Sequence, residues 1–160
     1  MRLIGRLVHA VSVISFLLFA AYVLPVLSAA GNTDFSGTWK LDVARSDFGR
    51  IPAPSSLTDN IAQDDRALTI QRERDGQPVK LRIPLDGSTI ENSLRGVPMK
   101  TTARWENATL IVTSNGHHFG GEVGYEERWT LSQDHKSLTI QRHLIGPQGA
   151  TDQTVVLAKQ

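Results

Sequence analysis

The residues that could do chemistry in this 160-residue sequence are its five histidines, its carboxylates and its arginines, because it has no cysteine at all. That absence excludes disulfides, thiolate metal sites, a cysteine nucleophile and a lipidated cysteine. His117 and His118 are adjacent, so on an extended chain they point to opposite faces, and Gly116, Gly120 and Gly121 around them predict a mobile loop. His135 falls in a turn and His143 faces outward by parity, so no zinc set assembles. Glu126 and Glu127 are also neighbours on opposite faces, which denies them the shared substrate of a general acid and base. Neither a Gly-x-Ser-x-Gly elbow nor a phosphate-binding loop is present. The expectation is a protein that is not an enzyme, with no catalytic residue, metal or cofactor.

What remains is a group of polar residues at positions where the pattern calls for apolar ones. Arg72 and Arg142 carry the planar fork of donors that suits carboxylate or carbonyl groups. Glu127, Gln153, Tyr125, Asn92 and Thr101 complete the candidate ligand-binding set. Their significance depends on the elements that carry them.

Those elements are strands. From Phe35 onward no helical period is found, and apolar residues alternate: Phe35, Gly37, Trp39, Leu41 and Val43 share one face, as do Val79, Leu81, Ile83 and Leu85. Two-residue turns are read at Asp64-Asp65, Asp75-Gly76, Asp86-Gly87, Gly96-Val97, Glu106-Asn107 and Asp134-His135. Opposed residues must point to the same face. The turns then pair Ile61 with Leu68, Ile70 with Leu81, Ile83 with Ile90 and Leu94 with Met99. They also pair Ala103 with Leu110, Trp129 with Ile140 and Leu131 with Leu138, so apolar meets apolar in every hairpin. About ten strands result, at 35–44, 56–63, 66–74, 77–85, 88–95, 98–105, 108–115, 122–133, 136–144 and 150–159. An all-β, up-and-down antiparallel meander of this length hides its edges by closing into a barrel, and ten strands leave some interior space.

The same registers place the polar set. The turn at 134–135 sets Glu127 opposite Arg142, a turn at Pro147-Gln148 sets Gln153 beside Arg142, and Asn92 is read as the partner of Thr101. Trp39, Trp105 and Trp129 sit inward toward the tight-turn end, as a plug. The longer connections 45–55, 115–121 and 146–149 lie at the other end. A lone buried charge is costly, so Glu127 and Arg142 are expected to meet. Two readings stay open. In one, this is an internal salt bridge with Arg72 reaching to the rim; in the other, Arg72 and Arg142 receive an anionic or carbonyl group beneath an open mouth.

The opening run Phe35-Ser36-Gly37-Thr38-Trp39-Lys40-Leu41 resembles the Gly-x-Trp opening of the calycin families, the lipocalins and fatty-acid-binding proteins. Gly37 through Asp42, then Arg45-Ser46-Asp47-Phe48-Gly49, and Trp129-Thr130-Leu131-Ser132 with Lys136, Leu138, Thr139 and Ile140, are similar to secreted bacterial lipocalin-like proteins. The resemblance implies a calycin-type β-barrel. The chain departs from those families in three places. Residues 45–55, with Pro52 and Pro54, are too short for the helix-turn-helix lid of fatty-acid-binding proteins; Val155 and Leu157 stand where their inward Arg-x-Tyr would be; and the lipocalins' C-terminal helix is missing.

Residues 1–30 read as a secretory signal peptide ahead of a single domain over 31–160. Arg2 and Arg6 precede an apolar stretch, Val11–Val23, then Pro25 and the small residues Ser28-Ala29-Ala30. A retained anchor over Leu7–Leu27 is the rival reading, since that length approaches the ~20 residues of a spanning helix. Without the leader, 15 Lys and Arg face 16 Asp and Glu, so the formal charge of +1 becomes −1. That balance argues against nucleic acid and against a polybasic membrane patch. The expected function is a periplasmic or secreted barrel that binds a small hydrophobic or amphipathic molecule. The alternative is a protein-interaction module, an inhibitor or envelope-assembly partner, that uses the 45–55 and 115–121 loops.

Overall fold

A computed structural model describes residues 33–160 other than 95 and 119, so the leader reading lies outside the described residues. Among the described residues there is one ten-stranded antiparallel sheet. Its strands are β1 (Gly37–Leu41), β2 (Leu57–Gln63), β3 (Ala67–Arg74), β4 (Gln77–Pro84), β5 (Ile90–Leu94), β6 (Val97–Glu106), β7 (Thr109–His118), β8 (Gly121–Leu131), β9 (Ser137–Gly146) and β10 (Gly149–Lys159). The order β4-β3-β2-β1-β10-β9-β8-β7-β6-β5 follows the chain throughout, with β1 paired to β10, and leaves only β4 and β5 without a ladder between them. This is the all-β meander expected from the alternation, wrapped into a nearly closed barrel.

Period-2 patterning explains which side faces in. In β6, Val97, Met99, Thr101 and Ala103 are buried, while Pro98, Lys100 and Arg104 are exposed. One end of the barrel is plugged by aromatics. Phe35 is fully buried, stacks on Trp105 with centroids 5.9 Å apart, and meets Trp129 edge-on at 5.8 Å. Gln63 accepts from the Phe35 amide at 2.9 Å and donates to the Thr33 carbonyl at 3.0 Å, while Trp39 Nε1 donates to the Phe35 carbonyl at 2.8 Å. The plug is therefore hydrogen-bonded into place as well as packed.

Two hairpins keep the expected residues paired: Ile70 faces Leu81 in one, and Trp129 faces Ile140 and Leu131 faces Leu138 in the other. Three others close one residue away from the expected turn. Ile61 faces Ile70 rather than Leu68, because Asp64 accepts hydrogen bonds from the Arg66 and Ala67 amides and moves the turn onward. Ala103 faces Val112 rather than Leu110, with Asn107 supplying the positive φ of 56°. Leu94 faces Val97 rather than Met99, with Gly96 at φ 82°. A one-residue move of a turn changes partners by two residues, so every side chain keeps its face.

Larger corrections concern the ends and the gap. The loop expected at 115–121 is mostly strand: β7 runs on through His117 and His118, paired with Glu122 and Gly121. The first strand spans 37–41 rather than 35–44, and its chain goes on into a single 3-10 turn, Val43–Arg45, capped by Asp42. Ile83 and Ile90 are not ladder partners. The Asn92 side chain takes the place of the ladder: its Oδ1 accepts from the Arg82 amide and its Nδ2 donates to the Arg82 carbonyl, both at 2.8 Å. Between the two strands, Asp86 accepts from the Ser88 amide at 3.0 Å within the 86–89 connection.

Asn92→Leu retains the volume but strands the Arg82 backbone groups. We expect it to lower stability by about 1–3 kcal/mol in urea denaturation and to speed amide exchange at Arg82. Unchanged values of both would show that Asn92 does not hold the gap.

Candidate functional site

The interior is polar at mid-height, where β2 and β3 place a carboxylate against a guanidinium. Asp59 follows the inward parity of Leu57 and Ile61 and is fully buried. It faces Arg72 across the ladder and receives two parallel hydrogen bonds, Nε to Oδ1 and Nη2 to Oδ2, each 2.7 Å. Burial works against the Arg72 cation, but the charge and hydrogen bonds of Asp59, helped by Glu127, raise its pKa above the ordinary value. Arg72 stays charged, held inside rather than reaching to the rim.

β8, β9 and β10 supply the second cluster. Glu127 faces Arg142, which in turn faces Gln153. Arg142 Nε donates to Glu127 Oε1, and Trp129 Nε1 donates to Glu127 Oε2 at 2.7 Å, so both oxygens of the buried carboxylate are engaged. The Arg142 guanidinium also lies 5.8 Å from the centre of the Tyr125 ring and 3.5 Å from Gln153 Oε1. Burial, then the Glu127 charge, push the Tyr125 phenol above its ordinary pKa, against a hydrogen bond with Ser114.

A third element is a row of small polar groups on the wall nearest the gap. Asn92 Nδ2 donates to Thr101 Oγ1 at 2.9 Å, and Thr101 Oγ1 lies 2.8 Å from Ser114 Oγ. Asn92 and Thr101 meet diagonally, since Met99 stands opposite Asn92 and Ile90 opposite Thr101.

All of the expected site residues line one interior cavity of about 220 Å³. Arg72 and Asn92 come from the β3 and β5 walls, Thr101 from β6, Tyr125 and Glu127 from β8, Arg142 from β9 and Gln153 from β10. Ile70, Leu81, Ile83 and Trp129 give the cavity an apolar lining. The sequence reading missed Asp59 and Ser114. Asp59 had the inward parity, but the turn at 64–65 set it against Ile70 instead of Arg72. Two grooves of about 600 and 650 Å³ lie elsewhere, lined largely by exposed or half-buried residues such as Lys100, His117 and Lys80. Among the described residues, no group of three or more His, Cys, Asp or Glu is placed to hold a metal ion.

The mouth is crossed by residues 46–56. Asp47 pairs with Thr154, and Gln153 Nε2 donates to the Phe48 carbonyl at 3.0 Å. Arg50 Nη2 donates to the Ala150 carbonyl at 2.7 Å. At the far side the Ser55 amide and hydroxyl donate to Asp75 at 2.7 and 2.8 Å. Between these anchors Ile51, 42% exposed, lines the cavity. The segment holds no second helix, so no helix-turn-helix lid is formed here. Val155 and Leu157 are buried in the apolar core.

No protein-family model matches the chain, and no curated protein sequence does. Among solved structures it is similar to zebrafish ileal bile acid-binding protein complexed with cholic acid, with a TM-score of 0.59 at 16% identity, covering 79% of this chain and 98% of that one. It is also similar to the apo form of lipid binding protein 8 of Caenorhabditis elegans, with a TM-score of 0.62 at 14% identity, covering 79% of this chain and 95% of that one. At such identities the likeness shows the fold alone, a nearly closed ten-stranded antiparallel barrel.

Tyr125 offers a direct check on the cavity's electrostatics. An unfolded phenol titrates near 10, and the folded one higher, so above about pH 10 the folded state holds a proton that the unfolded state has lost. Stability should fall as pH rises through that window, and Tyr125→Phe should remove that part of the slope. Tyrosinate absorbance at the ordinary pH would contradict the burial of the phenol; Tyr22 is the one other tyrosine.

Proposed function

We propose that the chain is a secreted or periplasmic barrel that binds one small hydrophobic or amphipathic molecule in its interior, and that it is a binding protein rather than an enzyme. One observation carries the reading: an apolar-lined cavity into which polar side chains from six strands converge, beneath a mouth bridged by residues 46–56. An interaction module needs no such space. The named ligand of one structural neighbour is cholic acid, and the other is named a lipid binding protein, which supports an apolar or amphipathic ligand here.

Cavity size limits the ligand. An apolar cavity of about 150 Å³ accepts benzene. The 220 Å³ here fits one ring or a short chain with a small head, unless the mouth segment shifts outward. Export is supported by the leader features of residues 1–30. Among the described residues no helix is long and apolar enough to cross a membrane.

Native mass spectrometry of the protein purified from its own host tests the reading. We expect a co-purifying small molecule that quenches or shifts Trp129 fluorescence on rebinding. Leu144→Trp, which fills the upper cavity, should weaken rebinding by at least about tenfold without unfolding the barrel. Rebinding unaffected by Leu144→Trp would place the ligand elsewhere and overturn the proposal.

A further inference from the structure

We infer that the cavity selects an uncharged amphiphile whose head is a hydrogen-bond acceptor, a carbonyl or ether, and discriminates against anions. The inference rests on the binding reading above and concerns the chemistry of the head group.

Every guanidinium that lines the cavity already has a carboxylate partner. Arg72 is bound twice by Asp59, Arg142 is bound by Glu127, and Arg74 lies 3.7 Å from Asp75. Three positive charges are thus balanced by three negative ones. An anion entering this space would lose its hydration next to Asp59 and Glu127, both buried, and would gain little from arginines whose charges are already cancelled. A free arginine would favour a carboxylate; a compensated one does not.

Hydrogen-bonding capacity points the same way. A guanidinium has five N–H donors. Arg72 directs two of them at Asp59, and Arg142 directs one at Glu127 and one at Gln153, so both retain donors toward the cavity they line. The Tyr125 hydroxyl lines the same space and, as a phenol at neutral pH, is protonated and able to donate. The acceptors are engaged: both Asp59 oxygens by Arg72, and the Glu127 oxygens by Arg142 and Trp129. Gln153 Oε1 faces Arg142, and Asn92 Oδ1 takes the Arg82 amide. The cavity presents donors without net charge. A neutral acceptor satisfies them without bringing in a buried charge, and its apolar body rests against Ile70, Leu81 and Trp129.

The test is calorimetric titration of the full chain with octanamide and octanoate, which share a tail and differ in charge, at neutral pH and two salt concentrations. We expect octanamide to bind at least about tenfold more tightly, with an affinity that salt leaves unchanged. Glu127→Gln removes one negative charge and should reverse the preference, raising octanoate affinity by about tenfold or more. Asp59→Asn should do the same if Glu127→Gln fails to fold. Equal or tighter binding of octanoate by the parent protein overturns the inference and leaves the binding reading standing. Binding of neither probe overturns both.

Discussion

Two buried ion pairs, Asp59–Arg72 and Glu127–Arg142, set the terms for the rest of the barrel. A fully buried carboxylate is costly unless a guanidinium reaches it with good geometry, and Asp59 is fully buried. The bidentate contact at 2.7 Å meets that demand, and it locks the register of β2 against β3. The second pair does the same for β8 and β9, with Trp129 and Gln153 extending it to the plug below and β10 beside it. Because long side chains carry these pairs, the middle of the barrel cannot collapse to the density of an apolar core. The space at its centre follows from that requirement.

Around this belt the two ends differ. Below it, Phe35, Trp39, Trp105 and Trp129 fill the barrel and are tied in through Gln63 and the Phe35 carbonyl. Above it, the wall is held by fewer and more polar contacts: the Asn92 clasp on Arg82, and a segment at 46–56 anchored to β10 on one side and to Asp75 on the other. A packed floor and a tethered mouth leave the two ends of the barrel unlike. The belt lies between them.

The fold was legible because alternation survives small errors. At Asp75-Gly76, where both residues adopt positive φ, the turn is unmistakable and the β3–β4 register follows. At 64–67 two aspartates compete, and the structure uses Asp64 as the hydrogen-bonding corner rather than as part of the turn. The faces were unaffected, yet the neighbours moved by two residues, which concealed the Asp59–Arg72 pair. Glu127 and Arg142 were legible because the turn at 134–135 gives the true partners. The β4–β5 gap could not be read from turn chemistry. It depends on a side-chain amide, that of Asn92, occupying backbone groups that a neighbouring strand would otherwise use. Likewise the strand extension through His117 and His118 runs against a glycine-rich composition and is decided by pairing with β8.

The claim that buried charges are mutually compensated is tested most directly by a double-mutant cycle on Asp59 and Arg72, read by urea denaturation. Arg72→Leu leaves Asp59 buried and alone, and should lower stability by about 3–5 kcal/mol. Adding Asp59→Leu removes the stranded charge, so the double variant should recover most of that loss, a coupling of about 2 kcal/mol or more. Losses that simply add, or an Arg72→Leu variant as stable as the parent, would contradict it.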